Sequence, residues 1–171
     1  LQHLNDILQR LSREHPEALM LRAEYAINAQ ENLAQARSDL ERLQGPMRGQ
    51  LTAFERGHAA VVMARLERRQ GRAEAALKAL DKALAEDPES SEAVALRVEV
   101  MLDNDQRDDA REAIDQSRDV LEAIRALARL EGQLALLEGR LEDAVRLLDK
   151  LPAQDADGLA FKGHALLALG K

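Results

Sequence analysis

Apolar residues recur at spacings of three and four along most of the chain, as at Leu1, Leu4, Leu8 and Leu11, or at Leu33, Ala36, Leu40 and Leu43. The densest stripe runs through Ala73, Ala76, Leu77, Leu80, Ala83 and Leu84. Polar and charged residues fill the positions between. This spacing follows the turn of an α-helix, so each stretch predicts a helix with one apolar face that must pack on a neighbour. No run has the alternation of a strand. Between the stripes stand His15-Pro16, Gly45-Pro46, Gly71, Asp87-Pro88, Asn104-Asp105, Gly139, Pro152 with Asp157-Gly158, and Gly170. Proline lacks the amide donor and glycine tolerates left-handed dihedrals, so these sites are expected to end helices. They also forbid the unbroken heptads of one long coiled coil. Short antiparallel helices remain.

The helices repeat. Ala76, Ala110 and Ala144 are 34 residues apart, and each heads a step of four to Leu80, Ile114 or Leu148. Each alanine also follows a turn, at Gly71, Asp105 or Gly139, by the same five residues. Self-similarity at a fixed period is the mark of a solenoid, in which no unit covers its apolar face alone.

Composition narrows what such an array can do. Two Phe, one Tyr and no Trp in 171 residues leave a core of Leu, Ala, Val and Ile. The abundant Ala, Leu, Glu, Arg and Lys favour helix throughout. A net charge of −7, from 24 Lys and Arg against 31 Asp and Glu, opposes extended contact with a phosphate backbone, so nucleic acid is excluded as partner. The absence of Cys removes disulfides, thiolate metal sites and a thiol nucleophile, and suits a reducing cytoplasm or a bacterial periplasm equally. No apolar stretch reaches the roughly 20 residues needed to span a bilayer. The chain starts at Leu1 and stops at Leu169-Gly170-Lys171, inside the motif that elsewhere opens a second helix, and so reads as an excerpt of a longer protein.

The segment from Gln70 to Pro88, with Ala76, Leu80, Ala83 and Pro88 at the matching places, resembles the tetratricopeptide repeat, a helix-turn-helix of 34 residues. The resemblance covers nearly the whole chain and implies an all-α fold, a right-handed superhelical α-solenoid of antiparallel helix pairs. It places the second helix of a truncated repeat at 1–16, repeats at 17–56, 57–90, 91–124 and 125–155, and the first helix of another truncated repeat at 156–171. Two departures stand out. The first helices lack the family's Trp and mostly its Gly-small pair, carrying Ala60, Met63 and Ala64, then Val94, Arg97 and Val98, then Ala128, Glu131 and Gly132. Ala36 and Ala76 are also 40 residues apart, so about six residues are inserted near 44–50. The insertion reads either as a longer loop before an extended helix starting near Leu51, or as a loop that touches a partner.

In the family, the first helix of each repeat lines a concave groove. Carried over, the resemblance implies a lining of Leu21, Tyr25 and Asn28, then His58, Val61, Arg65, Arg68 and Arg69, then Glu92, Glu99 and Asp103, then Arg129 and Gln133, and last Phe161 or His164. Arg65, Arg68 and Arg69 form a basic section beside the acidic Glu92, Glu99 and Asp103, a surface for a partner segment with both signs of charge. The alternative reading is a solvated helix face. The family's clamp for chaperone carboxy-termini is missing, because Leu21, Tyr25, Glu92 and Leu96 stand where its Lys, Arg and Asn would be.

Chemistry of other kinds finds little support. His3, His15, His58 and His164 fall in different helices or turns, without a paired ligand motif, and no metal or other cofactor is expected. Asp103, Asp105, Asp108 and Asp109 lack the spacing, central Gly and closing Glu of a calcium loop. No serine sits in a Gly-x-Ser-x-Gly turn, no Gly-rich phosphate loop occurs, and the chain is expected not to be an enzyme. The leading expectation is a protein-binding scaffold. The Ala, Arg and Leu bias resembles repeats of bacterial envelope proteins, including scaffolds of exopolysaccharide export, which favours periplasm or outer membrane over cytoplasm. Three other readings stay open: a structural spacer, self-association through the last helix, and an accessory module of an enzyme.

Overall fold

The computed structural model describes residues 15–170; the helix expected from Leu1 to Glu14, and His3 within it, lie outside the described residues. Among the described residues every regular element is helical. The chain divides into two compact units, the first ending at Ala93 and the second starting at Val94.

In the first unit, α1 (Pro16–Ala29) pairs with α2 (Leu33–Gln44), and α3 (Ala53–Arg69) pairs with α4 (Ala73–Glu86). The two pairs join through contacts of α2 and α1 with α3. Pro16 opens α1 at a position whose amide would have no partner inside the helix, so the missing donor costs nothing there. The inserted residues form a packed corner: Met47 and Leu51 are buried, with a single 3-10 turn, Arg48–Gln50, between them. Thr52 then caps α3. Its hydroxyl accepts from the Glu55 amide while the Glu55 carboxylate accepts from the Thr52 amide, a reciprocal box that starts the helix at Ala53.

Two carboxylates are buried in this unit. Asp39, fully buried, accepts from Arg22 Nε and Nη2, both at 2.6 Å, and from Gln35 Nε2 at 2.9 Å, tying α2 to α1. Glu67 pairs with Arg37 Nη2 at 2.7 Å. Arg72 Nε lies 2.6 Å from its Oε2 without the alignment of a hydrogen bond, so that contact acts through charge.

The second unit holds most of α5 (Ser91–Asp103), then α6 (Arg107–Gln116), α7 (Arg118–Ala123), α8 (Leu127–Leu137), α9 (Leu141–Leu148) and α10 (Ala156–Ala168). Helix α8 packs on α6, α7 and α9, and α10 covers α8 and α9. Ala135, Ala144, Leu148 and Ala165 form its core, with Phe161 packed at the edge.

The 34-residue spacing reappears in the backbone. Gly71, Asp105 and Gly139 take φ of 68°, 58° and 75°. After each, the next amide reaches back five residues, Arg72 to Glu67, Gln106 to Met101 and Arg140 to Ala135, closing the same left-handed cap three times. The alanine and leucine steps expected to face inward do so: Ala76, Leu80, Ala110, Ile114, Ala144 and Leu148 are each at most 3% exposed.

Three local expectations need correction. Gly158 does not end a helix; it lies in the first turn of α10, where its amide donates to the capping Asp155 Oδ1 at 2.8 Å. A Cβ there would sit 2.3 Å from Leu151 Cδ1, so the glycine marks a close approach. Conversely, the chain breaks at Ser117 and turns through a left-handed Arg125 without any Gly or Pro signal. The short α7 between them carries Leu121 into full burial, and that packing outweighs the weak turn propensity of the residues on either side.

Gly132 shows how tightly α8 meets α9. An added Cβ would lie 2.6 Å from both Cγ and Cδ2 of Leu148, itself 3% exposed. Replacing a helical glycine with alanine gains up to about 1 kcal/mol in propensity, whereas overpacking a core costs about 1–3 kcal/mol. With Leu148 unable to retreat, the clash wins. Gly132→Ala is expected to lower unfolding stability by about 1 kcal/mol in urea titrations, and a gain in stability would show that Leu148 has room to move.

Candidate interaction surface

The polar residues expected to line a groove fall in two groups, one in each unit. In the first unit, α1 contributes Tyr25, half-buried, and Asn28, exposed; α3 contributes His58, Arg65 and Arg68, half-buried, and Arg69, exposed. Val61 is 1% exposed and belongs to the core, so it offers nothing to a partner. In the second unit, Glu99 on α5 and Arg129 on α8 are half-buried, and Gln133 is buried. Asp103 and His164 are exposed, while Phe161 is turned partly inward.

These residues engage one another across neighbouring first helices. His58 Nε2 is 2.7 Å from Glu24 Oε1 on α1, and because an ionised carboxylate only accepts, this nitrogen carries the proton. Its Nδ1 faces Glu92 Oε2 at 3.9 Å, and Arg65 Nη2 donates to Glu92 Oε1. A row Glu24, His58, Glu92, Arg65 thus runs from α1 over α3 to the first turn of α5. In the second unit Arg129 Nη2 donates to Glu99 Oε1 at 2.6 Å, and Gln133 Nε2 reaches Asp103 Oδ1 at 3.5 Å.

The basic and acidic sections read from the sequence are therefore interleaved. Arg65 and Glu92 are paired, with 43% and 39% of their side chains exposed, so a partner meets a ladder of alternating charge. Surface pairs of this kind contribute only about 0–1 kcal/mol, so they can exchange partners at little cost.

Two features of this surface escaped sequence reasoning. Glu24 joins the row though it was no candidate, and Phe54 stands 71% exposed at the start of α3, its ring parallel to His58 with centroids 6.4 Å apart. Between α1 and α3 the surface opens into a cleft of about 340 Å³. Met20, Leu21, Leu51 and Phe54 supply its apolar lining, and Glu17, Glu24 and Glu55 its acidic groups. Hydrogen bonds from the Thr52 amide, and then from the Thr52 hydroxyl, hold the Glu55 carboxyl below the usual carboxylate range. The signal for Phe54 was present in Thr52-Ala53-Phe54-Glu55, a helix-start pattern with one of the chain's two Phe inside it.

Among the described residues no group of three His, Asp or Glu is arranged to hold a metal ion, and no helix is long and apolar enough to cross a membrane. A family model described as tetratricopeptide repeat matches residues 67–121, from the last turn of α3 into α7. Comparison with curated proteins and with solved structures gave no match. The matched residues include two of the three left-handed turns and the buried steps Ala76 to Leu80 and Ala110 to Ile114. With its all-helical fold of solenoid type, the chain is a tetratricopeptide-repeat protein.

Proposed function

We propose that this protein is a non-catalytic scaffold that holds a segment of another protein against the first helices of its repeats. Tetratricopeptide repeats mediate protein–protein interaction. The observation that carries the reading here is the charged row Glu24, His58, Glu92 and Arg65, which lies across successive first helices while the buried steps Ala36 to Leu40 and Ala76 to Leu80 occupy the second. Groups that are half-exposed and paired only with each other can trade those contacts for a partner's amides and side chains. Arginine adds a planar fork suited to carboxylates. The resemblance of the sequence to envelope repeats supports a bacterial envelope assembly as the setting.

The test is capture of the native partner. Arg65→Glu, Arg68→Glu and Arg69→Glu together are expected to abolish co-purification from the source organism while far-ultraviolet circular dichroism stays unchanged. Breaking the exposed Arg65 pair removes less than about 1 kcal/mol, so folding should persist. Undiminished capture by the triple variant would remove these arginines from the binding face.

A further inference from the structure

We infer that the cleft between α1 and α3 takes a short basic segment of the partner, with one bulky apolar side chain seated on Leu51 and Phe54 and flanking lysines or arginines set among Glu17, Glu24 and Glu55. This rests on the protein-binding reading above and adds to it the chemistry of the bound segment. The cleft is a property of this chain's insertion: the corner at Met47 to Leu51 brings in Leu51, and the start of α3 at Ala53 places Phe54 ahead of the repeat positions expected to line the groove.

The apolar half of the argument is exposure. Phe54 and Leu21 are 71% and 58% exposed on facing helices, with the buried Leu51 as floor between them. The volume, at the low end for a binding site, suits one or two side chains rather than a folded surface. The charge half is one-sided. The lining holds three carboxylates and neither Lys nor Arg, and its single histidine is engaged by Glu24. The nearest arginines are turned elsewhere, since Arg48 and Arg56 both donate to Glu86 and Arg56 also to the Leu51 carbonyl. An acidic segment would meet like charge at every side. A lysine or arginine gains twice, because its methylene stem covers apolar surface while its head group reaches a carboxylate, and a cation can also lie over the Phe54 ring. The net charge of −7 draws such a segment in.

The experiment is fluorescence anisotropy on the full chain with the labelled peptide Lys-Lys-Leu-Phe-Lys-Lys. Two controls accompany it, one with Glu for every Lys and one with Ala for Leu-Phe. The basic apolar peptide is expected to bind, more weakly as salt rises, and both controls to bind far less. Phe54→Ser and Leu21→Ser, each at an exposed site that leaves the fold intact, should weaken it about tenfold, a change of about 1.4 kcal/mol. Glu17→Lys should do so through charge. Equal binding of the Glu peptide, or indifference to both apolar variants, overturns the inference. So does self-association by sedimentation that Phe54→Ser abolishes with no peptide bound, which assigns the cleft to a second copy. A native partner kept by Phe54→Ser and lost by the triple arginine variant overturns the cleft and leaves the protein-binding reading standing. A wild-type chain that captures nothing and binds no peptide overturns both.

Discussion

Leu80→Asp is expected to unfold the α3–α4 pair. Leu80 is fully buried in the seam between these helices, beside Ala76 and Ala83, both also at 0% exposure. The substitution removes an aliphatic side chain, which costs roughly 2–5 kcal/mol when truncated to alanine, and adds a carboxylate with no cation or amide to receive it. Protonation would relieve only part of that burden. A loss of roughly 4–5 kcal/mol consumes most of the stability of a small domain. Hydrogen exchange should show protection gone from Ala53–Arg69 and Ala73–Glu86, with a lowered urea midpoint for the first unit. A variant as stable as the parent would mean that α4 does not turn this face inward.

Arg22→Met should be nearly as damaging, for the opposite chemical reason. Here the anion is native and its partner is taken away. Asp39 has no exposure of its own, and the Arg22 fork supplies two of the three hydrogen bonds described for it. Removing one member of a buried pair costs roughly 3–5 kcal/mol, because the remaining charge stays desolvated. Replacing both, as Arg22→Met with Asp39→Leu, removes the charge along with its need for compensation and should recover most of the loss in urea denaturation. If the single variant unfolds no earlier than wild type, Asp39 is not held by Arg22. If the double variant is as poor as the single one, the pair does more than neutralise itself.

The contrast between the two positions shows what local pattern reveals. Leu80 was legible as core because it lies on a stripe and four residues past a repeating alanine. Asp39 lies inside the stripe Leu33, Ala36, Leu40 and Leu43, where a carboxylate breaks the pattern, and its partner is 17 residues away on another helix. Sequence spacing carries no record of that meeting. The left-handed turns divide in the same way. Gly71 and Gly139 announced themselves, and Asp105 did so through its place in the period. Arg125 did not, since nothing in its side chain favours a positive φ, and it is held there by what packs on either side. Gly158 carried the usual sign of a helix end, yet its small size serves the approach of Leu151.

The candidate surface follows the same rule. That first helices would expose His58, Arg65 and Glu92 was readable from helical period and the family resemblance. That these three would share one row with Glu24, and that Val61 and Gln133 would be buried, required the helices to be set side by side.

The sequence alone determined that this chain is a series of short helices, that they recur every 34 residues, and that small and large apolar residues alternate on their inner faces. Those outcomes depend on backbone dihedrals and on hydrogen bonds within a few residues, which each segment sets for itself. The tertiary structure decided which opposite charges cancel, which carboxylates are buried, and where Phe54 and Leu21 are left uncovered beside three acids. Coulombic and apolar contacts depend on distance in space, and residues 27 to 34 apart in sequence come within reach only when one repeat packs on the next.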